Sequence, residues 1–569
     1  MGSWSFLSDE DGSIFMVLLT DGSVLCHSTE TLQLKRLRPD EHSDYSRGAW
    51  TIVTDALTAG SFGDPLVLAD GRVFVNSFSR PQIFDPVANL WQTLTPDARL
   101  GVGSTTQISS PLCVLRDGQI LVALRRSAGT GAAALYDPRR DTWTPVTDPL
   151  GIALHNRGVL LANGTVVATY EGLDGRLGFQ MYWPERNEWK EAGAGNVRAL
   201  GTLLPDGRVL VVTDRLMFFH PPATFGPLGE LRPGPELPRS DSRGWQLWST
   251  PSIHCLLPSG RVLCSAQYIE AVSAGRRGTR WARVFYEFDT VTSTLHPQDN
   301  ARFVYTSSEA HGLDFSNISP TLLPTGQVLV NVWGRDINVF AIYTPDELPI
   351  NDGWRPVIND CTFNRMGSDH VYEITGLRFN GMSQAVAGSA TNYPIVQLKS
   401  RYSRPGRRWY CRTFGHSSMG VATGGAPVVT HLALPPGAPL GSVEIRVVAN
   451  GIASAWCNTF IDDPYTLRDP LIPLFWNQLI GNLADGPLLV IGPDGRLWPV
   501  PPWDPSIKEV MAAYVQLREG VEKLKKLSSL ISSTQEELAR LQSFQKGPGK
   551  QLDTPDKFDP YAGPGKKKI

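Results

Sequence analysis

Cysteine is scarce in this 569-residue chain: Cys26, Cys113, Cys255, Cys264, Cys361, Cys411 and Cys457 are scattered, and none forms a CxxC pair. Such spacing excludes a disulfide-dense scaffold and a thiolate metal knuckle. Cys26, Cys113, Cys255 and Cys264 fall in apolar strands, where buried free thiols are common. Reduced thiols are therefore expected, with a Cys361–Cys411 or Cys411–Cys457 bridge as the alternative for an exported protein. An excess of one charge is also missing. The 53 Lys and Arg against 55 Asp and Glu leave a net charge of -2, so no nucleic-acid partner is predicted. No run of about eighteen apolar residues occurs, so no transmembrane segment is expected. The opening MGSWSFLSDEDGS has neither a basic nor an apolar region of the secretory kind. It predicts no signal peptide and a protein that is cytoplasmic or part of a larger assembly. HExxH, the phosphate-binding loop, GxGxxG after a strand and GxSxG are all absent, which removes the commonest hydrolase and nucleotide chemistries.

Glycine and proline are abundant, at 54 and 44 residues, as in turn-rich β proteins. The length fits two or three domains. The phrase LLPDGRVLVV, Leu203–Val212, reads as a hairpin: an apolar strand, an Asp-Gly turn and a second apolar strand. Asp-Gly suits a two-residue turn in which both central residues take positive φ. The phrase recurs around Gly22, Gly71, Gly118, Gly164, Gly260 and Gly326, so with Gly207 there are seven copies. Downstream of each hairpin comes an aromatic strand, a turn and often a tryptophan, as in IFDPVANLW ending at Trp91, ALYDPRRDTW at Trp143 and MYWPERNEW at Trp189. A period near fifty with one apolar hairpin per repeat predicts an all-β, seven-bladed, kelch-like β-propeller over residues 1–362, four strands to each blade. The first repeat is the poorest, with only LKRLRPD and Trp50. Long inserts sit in the sixth repeat, near 273–283, and before the seventh, near 296–315. Loops of this kind often carry function.

Residues 367–465 change to short alternating strands between turn clusters, the pattern of an immunoglobulin-like β-sandwich. The segments YCRTFGHSSMG, VVTHLALP and GSVEIRVVANGIAS resemble the early-set domain that follows the propeller in the galactose oxidase family. That resemblance implies a propeller–sandwich fold over roughly residues 10–465. In its enzymes it also implies a radical copper centre of two tyrosines and two histidines, one tyrosine being linked to a cysteine. The propeller residues of that centre precede their turn glycine by about nine positions. The same count here reaches Ser13, Phe62, Ser109, His155, Arg198, Pro251 and Asn317, with no Tyr and no Cys among them. Only His416 matches a family ligand. The resemblance therefore implies neither catalytic residues nor a metal or other cofactor, and radical oxidase activity is not expected. His155, Arg198, Asn317 and His416 are instead candidates for binding at the propeller axis. Glu309, His311 and Asp314 cluster in the second insert, where a solvated polar loop is the plainer account.

Residues 466–504 form an apolar, proline-rich connector with one further PDG hairpin at Gly495. A long helix is predicted over 505–543, opened by Asp504-Pro505 or by a Ser506/Glu509 capping box. Val510, Tyr514, Leu517, Val521 and Leu524 form a 4-3-4-3 stripe suited to a coiled coil with another copy or another protein. Residues 544–569 are polar and basic, with Tyr561 as an anchor candidate. The sequence thus points to a non-catalytic binding or scaffold protein that recognises a protein or glycan on a propeller face and assembles through its C-terminal helix. The alternatives are an oxidase with an altered or lost copper centre and a lectin-like carbohydrate-binding module.

Overall fold

The turn glycines fix the architecture. In the computed structural model all seven are left-handed, with φ between +75° at Gly22 and +89° at Gly118 and Gly164. The described residues are 2–461 apart from 8–12, 29–32, 55–64, 78–79, 103–105, 128, 194, 196, 271–278, 299–302, 308–316, 335–336, 361–363, 366–370, 384–391, 401–405 and 440, together with 489–491, 497–499, 523 and 534. The turn differs from the expected type, because the residue before each glycine, whether Asp, Asn, Ser or Thr, keeps a negative φ. At the first hairpin Gly22 N–H donates to the Leu19 carbonyl and Leu19 N–H to the Ser23 carbonyl. That pattern is a three-residue loop closed by a glycine bulge. Asp70, Asp117 and Asp206 each accept from the backbone N–H two residues on, at 3.0–3.1 Å. The aspartate is selected as a local acceptor rather than for left-handed backbone.

Each hairpin seeds one sheet of the propeller, and there are seven such sheets. Blade 1 comprises Ser13–Leu18, Val24–Ser28, Leu34–Arg38 and Ala49–Thr54, so the weakest repeat in the sequence is a complete blade. Blades 2 to 5 follow in the same meander order, beginning at Leu66–Val67, Thr106–Val114, Ala153–Leu160 and Ala199–Leu203. Blade 7 takes three strands from Asn317–Thr344 and its fourth from the N-terminal Ser3–Phe6, which pairs with Ile337–Thr344. Both ends of the repeat array meet in one sheet, and the ring closes by backbone hydrogen bonding. From blade 2 round to blade 7 and on to blade 1, the first strands of successive blades neighbour one another. The recurrent tryptophan sits on the fourth strand against an aromatic of the third: Trp91 on Phe84, Trp143 on Tyr136 and Trp189 on Tyr182, with ring centroids 4.7–5.0 Å apart.

Blade 6 departs from the repeat. Its central hairpin, Val262–Ile269 with Thr279–Asp289, outgrows the usual blade, and two additional strands, Gln246–Leu247 and Phe303–Ser307, flank its far end to make six. The described parts of the two inserts are thus largely sheet.

Residues Val357–Ile461 hold nine further strands in antiparallel pairing, seven along one path and two beside it, with a separate core that includes Ile374, Val396, Leu398, Cys411, Leu432 and Ile445. This region and the propeller belong to one compact unit, residues 1–473. Tyr393, Ile395, Met419 and Val448 extend the propeller's apolar core into it. The cysteines match the expectation of reduced thiols except at Cys457. Cys26, Cys113, Cys255, Cys264 and Cys411 are free and buried, so both bridges weighed through Cys411 are absent. Cys457, by contrast, is disulfide-bonded. Cys361 lies outside the described residues.

In the second unit, residues 474–569, Leu489–Ile491 pairs with Leu497–Pro499 around the predicted PDG turn. The helix expected over 505–543 lies outside the described residues apart from Lys523 and Thr534. Val510, Tyr514, Leu517, Val521, Leu524 and Tyr561 are likewise outside them.

Candidate functional site

A first strand in each blade runs from one end of the propeller to the hairpin turn at the other. The hairpin-turn end is covered by the second β-region. Thr413 N–H donates to the Thr20 carbonyl at 3.3 Å, His416 N–H to Ala69 at 3.2 Å and Met419 N–H to Arg116 at 2.8 Å. These acceptors lie in the turns of blades 1, 2 and 3. The three contacts recur every third residue, and the left-handed Gly415 bends the chain between the first and the second. One stretch of chain thus touches the turns of three successive blades. Further round the ring, Thr202 Oγ1 and Ser383 Oγ lie 2.7 Å apart. At Gly451 a Cβ would come within 2.8 Å of Gly326 Cα and 3.1 Å of the Pro258 ring. No side chain fits there, so this crossing over blades 6 and 7 needs glycine.

His416 belongs to this covered end. It is 1% exposed, its Nδ1 lies 2.7 Å from Thr430 Oγ1, and its ring stacks on Tyr393. Burial first, then the neighbouring His431, pushes its pKa down to about 3, so the ring is neutral. The other three candidates lie at the opposite end of the first strands. His155 is the third residue of Ala153–Leu160, Asn317 is the first of Asn317–Leu322, and Arg198 directly precedes Ala199–Leu203. Arg198 is exposed, and its N–H donates to the Val212 carbonyl at 2.8 Å. The side chains of His155 and Asn317 are outside the described residues. A first strand of six residues is about 20 Å long, so His416 does not converge with the other three. The described side chains around His416 do not fit a copper centre of the galactose oxidase kind. Tyr393 donates its hydroxyl to the Leu18 carbonyl, and the imidazole is held by a threonine at Nδ1 alone, with its buried Nε2 unpartnered among the described residues. Among the described residues no three His, Cys, Asp or Glu side chains gather as metal ligands.

The open end has its most distinctive surface on blade 6. Trp248 is 52% exposed and meets the buried Trp281 edge-on, with ring centroids 5.3 Å apart at 76°. Its backbone is fixed, because Trp248 N–H donates to the Gln267 carbonyl at 2.9 Å. Trp281 is pinned between Ile269 and Tyr305 on the two neighbouring strands. Beneath this pair lies a buried polar layer of His254, Ser265, Gln267 and Arg283. His254 Nε2 is 2.8 Å from Ser265 Oγ, and burial followed by the charge of Arg283 pushes its pKa down to about 3. On the other face of the sheet Trp245 carries the guanidinium groups of Arg243 and Arg280 over its ring, at 4.9 and 5.2 Å. Such an arrangement holds an aromatic surface rigid at low entropic cost, which suits recognition. The fifty-residue repeat gives no hint of these residues, because they lie where the repeat is broken. The one signal in the sequence was the insert itself. Glu309, His311 and Asp314 are outside the described residues.

No family model matches this chain, and no curated protein matches it. Solved structures do. The extracellular domain of a B. thetaiotaomicron protein described as a one component system matches at 10% identity over 82% of this chain, with a TM-score of 0.38. This chain spans 59% of that one, less than two thirds of its length. A catalytically inactive virginiamycin B lyase from Staphylococcus aureus, solved with quinupristin, matches at 8% identity over 61% of this chain and 99% of its own, with a TM-score of 0.38. U3-55K matches at 12% identity over 60% of this chain and 98% of its own, with a TM-score of 0.35. At such identities these likenesses concern the fold alone.

Proposed function

We propose that this chain is a non-catalytic binding or scaffold protein whose recognition surface is the open end of the propeller, centred on blade 6. The single observation that carries the reading is Trp248, an aromatic ring half in solvent that is packed on the buried Trp281. Tryptophan is prominent among the residues that dominate binding, and one already held in place loses little entropy on contact. The partner is a protein or a glycan. In the finer reading the propeller is of the kelch kind, residues 367–465 are the immunoglobulin-like early-set domain of galactose oxidase relatives, and the helix at 505–543 tethers the protein to a copy of itself or to a larger assembly.

The test is capture of a partner on a glycan array and by cross-linking, with Trp248→Ala alongside the unaltered chain. Loss of the captured partner in the variant supports the reading. Retention of full binding removes Trp248 from the surface. Stoichiometric copper with peroxide release from alcohols or aldehydes would overturn the non-catalytic assignment.

A further inference from the structure

The second β-region carries a concentration of positive charge that the propeller reading does not use. From Lys399 to Arg412 the sequence holds six basic residues and no acidic one, in a chain whose net charge is -2. The strands Ile395–Ser400, Trp409–Phe414 and Gly441–Ala449 are neighbours in the sheet, which places Lys399, Arg408 and Arg446 together on it. Lys399 Nζ and the Arg446 guanidinium both lie over the Trp456 ring, at 4.4 and 4.5 Å. Arg446 Nε also donates to Gln397 Oε1 at 2.6 Å. These contacts fix both cations in place. Burial and then the charge of Arg408 push the Arg446 pKa down to about 10, so the two guanidiniums repel each other. Glu444 faces Lys399 at 2.9 Å and Glu41 faces Arg407 at 3.5 Å. Among the described residues no carboxylate pairs with Arg408 or Arg446.

We infer that this sheet face is a binding site for an acidic polysaccharide, a polymer whose sulfate or carboxylate groups replace the missing counter-charge. The site is separate from the open end of the propeller and does not depend on that assignment. Arginine forks match sulfate and carboxylate oxygens in pairs. A single-stranded nucleic acid also carries regular negative charge, but it is held by bases stacked on free aromatic faces. Here the Trp456 ring already carries two cations. The residue after it, Cys457, is disulfide-bonded. Disulfides persist in oxidising surroundings, where acidic glycans are the abundant polyanions.

The experiment uses the full chain on immobilised heparin, which bears sulfate, and on immobilised polygalacturonate, which bears carboxylate alone. Neutral dextran and a single-stranded oligonucleotide are the comparators. Salt-dependent retention on either acidic glycan, and not on dextran, is expected; retention on heparin alone identifies sulfate as the group recognised. The Arg407→Ala/Arg408→Ala variant should bind about tenfold more weakly at low salt. Glu41→Gln removes an exposed competing carboxylate and should bind about threefold more tightly, a gain that misfolding cannot produce. Arg232→Ala, on the outer strand of blade 5, should leave binding unchanged. Retention no stronger than on dextran, tighter binding of the oligonucleotide, no gain in Glu41→Gln, or an equal loss in Arg232→Ala would each overturn the assignment.

Discussion

At the hairpin-turn end, the ten residues from Thr413 to Ala422 join three blades through main-chain hydrogen bonds and pack Met419 and Val421 into the propeller's apolar clusters. At the other end, Leu173 is 92% exposed in the turn of blade 4, Trp248 is 52% exposed beside blade 6, and Arg198 projects from the start of blade 5. Both ends are built from the same repeat, so the repeat does not explain the difference. It arises because a second β-region covers one end and inserts enlarge a blade at the other. Substitutions at the covered end should therefore be paid in stability, and substitutions at the open end in recognition.

The largest expected effect at the covered end is Asn380→Ala. Asn380 is fully buried, and its Nδ2 donates to the Asn392 carbonyl at 2.8 Å and to the Ser418 carbonyl at 2.6 Å. Those contacts hold the crossing stretch against the rest of its own region. Removing them strands one buried and one half-buried carbonyl and should cost about 2 kcal/mol in urea unfolding. A loss within error would mean that the crossing stretch is held by the propeller alone.

Next comes pH. His416 at the covered end and His254 in blade 6 both have folded pKa values near 3 against an unfolded value of 6.5. A depressed histidine pKa means that the unfolded chain binds the extra proton. Stability is therefore full above pH 6.5 and falls as the pH drops toward 3. At pH 5 each histidine should cost about 2 kcal/mol relative to pH 7.5. Unfolding midpoints at the two pH values, for the natural chain and for His416→Asn, measure the share of the covered end. An unchanged pH dependence in the variant would remove His416 from it.

A smaller effect is expected on the seams between blades, which are tied beside the hairpin turns. Arg208 follows the turn glycine of blade 5. It pairs with Asp206 at 2.6 Å, lies over the Phe218 ring at 4.1 Å and donates to the Thr290 carbonyl of blade 6 at 3.0 Å. Arg72 makes the same reach from blade 2 to the Pro138 carbonyl of blade 3, also at 3.0 Å. Arg208→Ala should cost about 1 kcal/mol, since the ion pair is partly exposed and screened. Equal costs for Arg72→Ala and Arg208→Ala would confirm that the seam is a property of the repeat.

These seams also mark how far the sequence could be read. The seven turn glycines and the paired aromatics at Phe84/Trp91, Tyr136/Trp143 and Tyr182/Trp189 recur because every blade solves the same packing problem, so the propeller was legible from one strand of text. The site was less so. First strands carry register shifts, as between His155 and Val159 in blade 4 and between Ile253 and Cys255 in blade 6. A fixed count back from the turn therefore reaches a different geometry in each blade. Trp248 and the Lys399–Arg446 face were missed because each depends on strands distant in sequence meeting in one sheet. Glycine at 451 gave no warning either, since only the approach of Gly326 and Pro258 makes it necessary.

The smallest effect on stability, and the sharpest test of the comparison, belongs to Arg198. It is exposed, and its described backbone contact to Val212 survives any side-chain change. Its charge is felt by Asp214, whose carboxyl is held below its usual range chiefly by the hydrogen bond from Thr213. Loss of the guanidinium thus leaves Asp214 its main support. Arg198→Ala should change stability by about 0.5 kcal/mol or less, as exposed substitutions generally do. If the open end is a recognition surface, the same variant weakens binding of whatever partner Trp248→Ala loses. Should Arg198→Ala instead destabilise the chain as much as Asn380→Ala, both ends would be structural, and the division between a covered end and a recognising end would fail at the residue chosen to expose it.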